Sequence, residues 1–546
     1  MNLTKRLFIS LLFPSLVASA MAATPPMPDT SPLVAMACSL PSSEALATAD
    51  SPNTPSVKGA PMLHQRLETL DIVSVGLSLD VYRQGQAWAQ LRKQSAGQPN
   101  ALLVGNALPM DPRDYPTDGT LQDLAWGQRK SNALELALQS FPERWPLPTV
   151  VVVRDYDPQM ERPRVRPEDM EIALRQMATA ERGDAGLHWH EMRQLDNGVI
   201  CNTNPEAVIE SIFQLFERNP DLPALLVYAL DSFNLRAALS SKNLPLNDIA
   251  PPGQRTPETP TDAVVALIVA RPERLAWLRE FARFTKANPG SIDPAFIGWE
   301  REPRQPFRPS PFFPNPITQR GFEQWDRLKV LARLHRPVTA SLSQENKATS
   351  LLNGPARDEA IAGGWDQAIT AMGSMPARAF FDTGKPSGAI AVLAPALHVA
   401  QQPLDLLDSN QSYDLSQRFG DTGAASPFVG VALATMASYL NSDSSLVVPL
   451  RQAGQATFIG ISPPAPGKKP TDDPFGVSLR PQHSAVTDEP SPEFKAWLAQ
   501  RGMEHQRQQE RSVGPYRDPE VMAREQRLFN EWLAEIPGTP LDPQNK

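Results

Sequence analysis

The chain has 546 residues, of which 41% are hydrophobic and 21% charged. That is the balance of a globular protein long enough for two or three domains with buried cores. A formal charge of -8 gives no general attraction to nucleic acid or anionic lipid, so nucleic acid is not an expected partner.

The N-terminus reads MNLTKRLFISLLFPSLVASAMA, with Lys5 and Arg6 ahead of an apolar run and small residues before a cleavage position after Ala22. The run is shorter than the roughly 20 residues of a spanning helix. Residues 1–22 are therefore expected to act as a signal peptide or an inner-membrane anchor, and membrane contact is expected through this segment alone. Residues 23–65, rich in Pro, Ser and Ala, read as a flexible spacer. Cys38 and Cys201 are the two cysteines, and their positions leave open whether they pair.

Order is expected from LETLDIVSVGLSLD, whose Ile72, Val73, Val75 and Leu77 suit a buried strand. GQAWAQLRKQ then reads as a helix, ALLVGNALP as strand and loop, and TVVVVRDYDP as a buried strand. The alternation continues with a helix at PEAVIESIFQLFERNP, a strand at PALLVYALD, a strand or buried helix at DAVVALIVA, and a helix at PERLAWLREFARFTK. Such alternation predicts an α/β fold of mixed, largely parallel sheets with flanking helices. The expected organisation is an N-terminal α/β domain over 66–290, a Pro- and aromatic-rich connector over 291–316, a C-terminal α/β domain over 317–480, and a charged, partly helical tail over 481–546. In the second domain TQRGFEQWDRLKVLARLHRPV reads as one amphipathic helix, and ARAFFDTG and GAIAVLAPALHVA return to strand and helix.

Proline along the connector removes backbone donors and fixes φ, which favours an extended crossing. Residues 299–325, which run from the connector into the segment after it, combine Trp299, Phe307, Phe312, Phe313, Phe322 and Trp325 with Arg301, Arg304, Arg308 and Arg320. Aromatics mixed with arginine suit the core of a partner interface, so Trp299, Phe307, Arg308, Phe312, Phe313, Arg320 and Trp325 are candidate partner-binding residues. The competing reading is that the rings fasten the connector to its own domain.

Catalytic motifs are sparse. His188 and His190 with Glu191 share a short polar stretch without a third ligand nearby, and His335 reads as a basic residue near a helix C-terminus. Gly373 and Ser374 lack the second glycine of a nucleophile elbow, and no phosphate-binding glycine loop is present. Neither catalytic residues nor a metal site nor a cofactor is expected. The stretch RFGDTGAASPFVGVALATMASYLNSDSSLVVPL, from Arg418, is the one that most invites a functional reading. Gly420, Gly423, Ala424 and Ala425 permit close backbone approach, Ser426 and Pro427 suit a helix N-cap and first turn, and Leu433, Met436, Ala437 and Leu440 follow at helical spacing. The expectation is that this loop packs a helix against the sheet and that Asp421 is an ordinary loop residue. SSLVVPL and ATFIGISP then read as paired strands.

That loop and helix loosely resemble those of thiolase-like ketosynthases, which implies a degenerate arrangement of two α/β halves. Asp421 stands where that family has a histidine, and neither cysteine sits in a nucleophile elbow. A closer resemblance covers most of residues 65–475: NPDLPALLVYALDSFNLRAAL, PFRPSPFFPNPITQRGFEQWD, LHRPVTASL and YDLSQRFGDTGAASPF, in this order, are similar to the type VI secretion lipase adapter proteins. The resemblance implies a non-catalytic adapter that binds a secreted lipase effector and helps load it onto the secretion spike protein. The alternative is an envelope enzyme or small-ligand-binding protein of thiolase-like ancestry. Loading is a cytoplasmic task, whereas the N-terminal segment points to the periplasm or an inner-membrane anchorage, so both locations stay open.

Overall fold

The computed structural model describes residues 66–153, 200–238, 256–273, 319–465 and 474–476, with a few short breaks inside these ranges. The expected signal segment, spacer, connector over 291–316 and C-terminal tail lie outside the described residues, as do His188, His190 and Glu191.

The first strand, β1 (Thr69–Leu79), turns at Asp80 into the two-residue β2 (Tyr82–Arg83) and leads into α1 (Gly85–Ala96). Ala101–Leu103, expected as strand, forms a single 3-10 turn capped by the Asn100 side chain, because Asn100 Oδ1 accepts the Leu102 N–H at 2.9 Å. There follow α2 (Gly119–Leu138), β3 (Thr149–Val152), β4 (Ile200–Cys201), α3 (Ala207–Arg218), β5 (Ala224–Asp231), the short α4 (Phe233–Ala238) and β6 (Ala263–Ala270). DAVVALIVA is thus a strand from Ala263 onward; its eight residues are all buried, and Val, Leu, Ile and Ala pack both faces.

The expected long helix from Thr318 is divided. Helix α5 (Gln319–Arg327) ends, and β7 (Ala332–His335) begins five residues later. The segment pairs with β1 in antiparallel register from Thr69↔His335 to Ile72↔Ala332, so the ladder prevails over helical periodicity. His335 therefore sits buried on a strand instead of at a helix end; its Nε2 lies 2.8 Å from Ser462 Oγ, and burial, with Arg333 nearby, pushes its pKa down to about 4. The chain continues through β8 (Val338–Ser341), the hairpin β9 (Ser343–Gln344) and β10 (Lys347–Leu351), α6 (Gly354–Met372), β11 (Pro376–Asp382), α7 (Ala389–Val399), β12 (Ser412–Asp414), α8 (Leu415–Phe419), α9 (Ser426–Asn441), β13 (Ser444–Pro449) and β14 (Gln455–Ser462).

The strands form one hydrogen-bonded path in the order β12-β11-β13-β14-β7-β1-β6-β5-β3-β4. The two α/β halves meet at the β7–β1 pair. Leaving aside β2 and β8–β10, each half repeats the order 3-2-4-5-1 when its strands are numbered from its own start. Parallel pairs lie on the outer flanks, β4–β3–β5 on one side and β12–β11–β13 on the other, and antiparallel pairs occupy the centre. This is the mixed α/β architecture expected.

Side chains alternate between faces along each strand, and the alternation assigns three cores. Leu225, Val227 and Ala229 of β5 point into a central core with α1, α3 and α9, while Leu226, Tyr228 and Leu230 point to an outer core under α2 and α5. In the other half Val447 faces the central core, and Leu446 and Val448 face an outer core under α6 and α7. Helix α9 lies between the halves, touching β1 and β6 of the first and β7, β11, β13 and β14 of the second. Together with the 3-10 turn Gly423–Ala425 ahead of it, the helical run Gly423–Asn441 is long and apolar enough to cross a membrane, but here it is buried within the fold.

Trp325 lies in the outer core of the first half. It is 3% exposed and its ring stacks on Trp145 with centroids 4.4 Å apart; Phe322 is equally buried. Helix α2 reaches β1 so closely at Gly76 that a Cβ there would overlap the Ala133 carbonyl, and Ser74 Oγ donates to Ala137 O at 2.6 Å across the same seam. Replacing Gly76 with Ala is expected to force α2 away from β1 and destabilise the fold by about 1–3 kcal/mol, as overpacking does. A denaturant titration of the variant beside the wild type measures it.

Candidate functional site

Residues 418–426 run along the junction of the two halves, and the loop packs as its small residues predict. Gly423 has φ +52, and a Cβ on it would strike the Asp231 carboxylate, so glycine is required both for the turn and for the approach. Ala424 N–H donates to Asp231 Oδ2 at 2.9 Å, and Gly423 N–H donates to Asp421 Oδ1 at 3.0 Å. Ser426 is the first helical residue of α9 instead of its cap, since its hydroxyl is taken up by the Asp382 carboxylate. Pro427 occupies the first turn as expected.

Asp421 is more than a loop residue, contrary to expectation. Its Oδ2 accepts from Arg236 Nη1 at 2.6 Å, and its Oδ1 is paired with Arg451 Nη2. Arg236, on α4, reaches back to Asp231 at the end of β5, with Nε 2.8 Å from Oδ1. Arg451, just past β13, pairs through Nη1 with Asp382 at the end of β11. Asp382 also accepts from the Ser416 and Ser426 hydroxyls and, at 2.7 Å, from Gly384 N–H. The result is a chain Asp231–Arg236–Asp421–Arg451–Asp382 whose first two members belong to one half and the rest to the other. Backbone contacts reinforce it: Asp421 N–H donates to Thr259 O at 2.8 Å and Thr261 N–H to Asp421 O at 3.0 Å.

Each charge here is set by burial against its neighbours. Burial would raise the Asp421 pKa, but Arg451 and Arg236 outweigh it and hold the carboxyl below its usual range. Burial would likewise lower Arg236 and Arg451, and the aspartates beside them raise both instead. A carboxylate fixed in this way between two guanidiniums is a poor proton acceptor near neutral pH.

Glu206, immediately before α3, is the exception. It is 1% exposed, and burial pushes its pKa up to about 7, with Asp382 adding to the rise and the Arg451 N–H and Thr457 hydroxyl opposing it. Its Oε1 accepts Arg451 N–H at 3.2 Å, a further tie between the halves. Nearby, Arg418 is buried with Nη1 and Nη2 lacking hydrogen-bond partners among the described residues, and burial lowers its pKa to about 10.

Of the seven candidate partner-binding residues, Trp299, Phe307, Arg308, Phe312 and Phe313 lie outside the described residues, and Arg320 is placed only as a position on α5. Trp325 is packed in the core. The sequence reading missed Glu206, Asp231, Arg236, Asp382 and Arg451. Asp231 and Asp382 end apolar strand runs, where a buried carboxylate is a recognisable signal, but their arginine partners are brought in from elsewhere in the chain. Among the described residues no group of His, Cys, Asp and Glu could hold a metal ion.

Replacing Asp421 with Asn leaves two guanidiniums facing a neutral amide, and a loss of about 3 kcal/mol of stability is expected, as for a broken buried pair. Chemical denaturation at pH 7 measures it. Glu206 gives the opposite sign. Its folded pKa lies above the ordinary 4.5, so below about pH 4.5 both folded and unfolded forms are protonated and no penalty arises. As pH rises to about 7 only the unfolded form ionises freely, and stability falls. Replacing Glu206 with Gln should therefore stabilise the protein at pH 8 relative to wild type, with the difference vanishing near pH 4; melting curves across that range read it out.

Several solved structures are similar to this chain. A ketosynthase from module 6 of the bacillaene synthase of Bacillus subtilis 168 is 10% identical with TM-score 0.40, over 73% of this chain and 71% of that one. An oxazolomycin ketosynthase domain of Streptomyces albus JA3453 is 10% identical with TM-score 0.40, over 74% and 76%. At that level the likeness says nothing of chemistry. Among protein families, residues 68–249 match the N-terminal part of the type VI lipase adapter protein Tla3 and residues 331–463 match its C-terminal part. With both halves of the sheet matched, the chain belongs to the type VI lipase adapter protein Tla3 family.

Proposed function

We propose that this protein is a non-catalytic adapter that binds a type VI lipase effector and helps load it onto the secretion spike. The observation that carries the reading is the family match across both halves. The junction between the halves is consistent with it, since its aspartates and arginines are engaged with one another along a continuous chain. Interactions of this kind hold two halves in register and present a rigid surface, which lowers the ordering cost of binding a large partner. Under the same reading the N-terminal segment fixes where loading takes place: retained, it would keep the adapter at the inner membrane; cleaved, it would release it into the periplasm.

The test is co-purification from native cells of the full chain carrying a C-terminal tag, followed by mass spectrometry and N-terminal sequencing. Recovery of a lipase and a spike protein in stoichiometric amounts is the expected outcome. Recovery of neither, together with turnover of an acyl thioester by the purified chain, would favour an enzyme instead. A full-length N-terminus in the soluble cytoplasmic fraction would refute the envelope location.

A further inference from the structure

Between α3 and the β8–β14 pair lies an open cavity of about 400 Å³ whose wall includes Glu206. On the helix side Glu210, Ser211 and Gln214 follow on the same face as Glu206; on the sheet side stand Thr339 and Thr457, which are directly paired across β8 and β14. We propose that this cavity binds a guanidinium or alkylammonium head, with Glu206 as its counter-ion. The assignment stands apart from the adapter reading and does not depend on it.

Three observations converge on a cation. Glu206 is almost wholly buried, and although the Thr457 hydroxyl lies close enough to the carboxyl to oppose the rise in its pKa, Oε2 has no hydrogen-bond partner among the described residues. A buried carboxylate oxygen left unmatched is strongly unfavourable and is relieved by a donor, most of all a charged one. The other acidic group on the wall is already engaged: Glu210 takes Arg336 Nε on both oxygens, at 3.1 and 3.0 Å. Gln214 is also engaged, donating to Glu210 at 3.3 Å and accepting from Arg218 at 3.4 Å. Of the two carboxylates on the wall, Glu206 is thus the one with an oxygen left over among the described residues.

The surroundings have the matching sign. Behind Glu206, Asp231, Asp382 and Asp421 share the two guanidiniums of Arg236 and Arg451, so with Glu206 the carboxyls outnumber the guanidiniums. Arg218 lines the cavity too, but it is exposed and bound to Gln214. An incoming cation supplies the charge that the junction lacks, and hydroxyls such as those of Thr339 and Thr457 can accept its remaining N–H groups.

The test uses isothermal titration of the full chain at pH 7 with n-butylguanidinium and its neutral isostere n-butylurea. Saturable binding of the guanidinium, at least tenfold tighter than the urea and lost at least tenfold in Glu206→Gln, is expected. Because a cation draws the proton off Glu206, the apparent heat should also differ between buffers of different ionisation enthalpy. Equal affinity for both probes, no binding of either, or unchanged affinity in a Glu206→Gln variant that melts cooperatively would each overturn the proposal. A parallel pair, acetyl-Gly-Arg-Gly-amide against its citrulline analogue, separates the sources. Tighter binding of the arginine peptide than of butylguanidinium assigns the site to a polypeptide side chain, and the reverse assigns it to a free small cation.

Discussion

Everything at the centre of this protein depends on the contact between Arg236 and Asp421. The two side chains meet at 2.6 Å, each about 14% exposed, and they belong to opposite halves. Taking two charges out of water is unfavourable unless each finds several partners. Here each does: Arg236 holds Asp231 as well, and the Asp421 carboxylate holds Arg451 and the Gly423 N–H. The contact therefore specifies one arrangement of the halves, because any sliding between them would strand a buried charge.

Around that contact the apolar part of the fold is less selective. Helix α9 buries nearly every side chain between two sets of strands, and Phe428, Val431, Leu433 and Met436 would find apolar surroundings in several registers. Gly76 and Gly423 narrow the choice by letting backbones approach where a side chain would not fit. Packing supplies most of the driving force, and the polar chain and the glycines supply the uniqueness.

Strands with continuous apolar runs were legible, since β5 and β6 contain Val, Leu, Ile and Ala on both faces and admit no solvated side. So were α3 and α9, whose apolar residues recur at helical spacing. Ala332–His335 was not, because four residues taken after an amphipathic run continue the helical period, and only pairing with β1 makes them a strand. The adapter resemblance was readable from several motifs in order. The charge network was not, because Arg236 and Asp421 are 185 residues apart and neither sits in a local motif. A buried carboxyl such as Glu206 is invisible until the fold shows which strands pack over it.

The repeated strand order 3-2-4-5-1 gives the molecule an approximate internal symmetry, but the charges break it. Asp231 ends the fourth strand of the first half, whereas Asp382 ends the second strand of the second. If the halves descend from a duplicated ancestor, their copies are no longer interchangeable. Two copies of the first half paired with each other would place Asp231 and Arg236 twice over and lack Asp421 and Arg451 altogether. Divergence of that kind makes the pairing one-sided: Asp231 and Arg236 of the first half balance each other, whereas the second half without Arg236 keeps the carboxylates of Asp421 and Asp382 against the single guanidinium of Arg451.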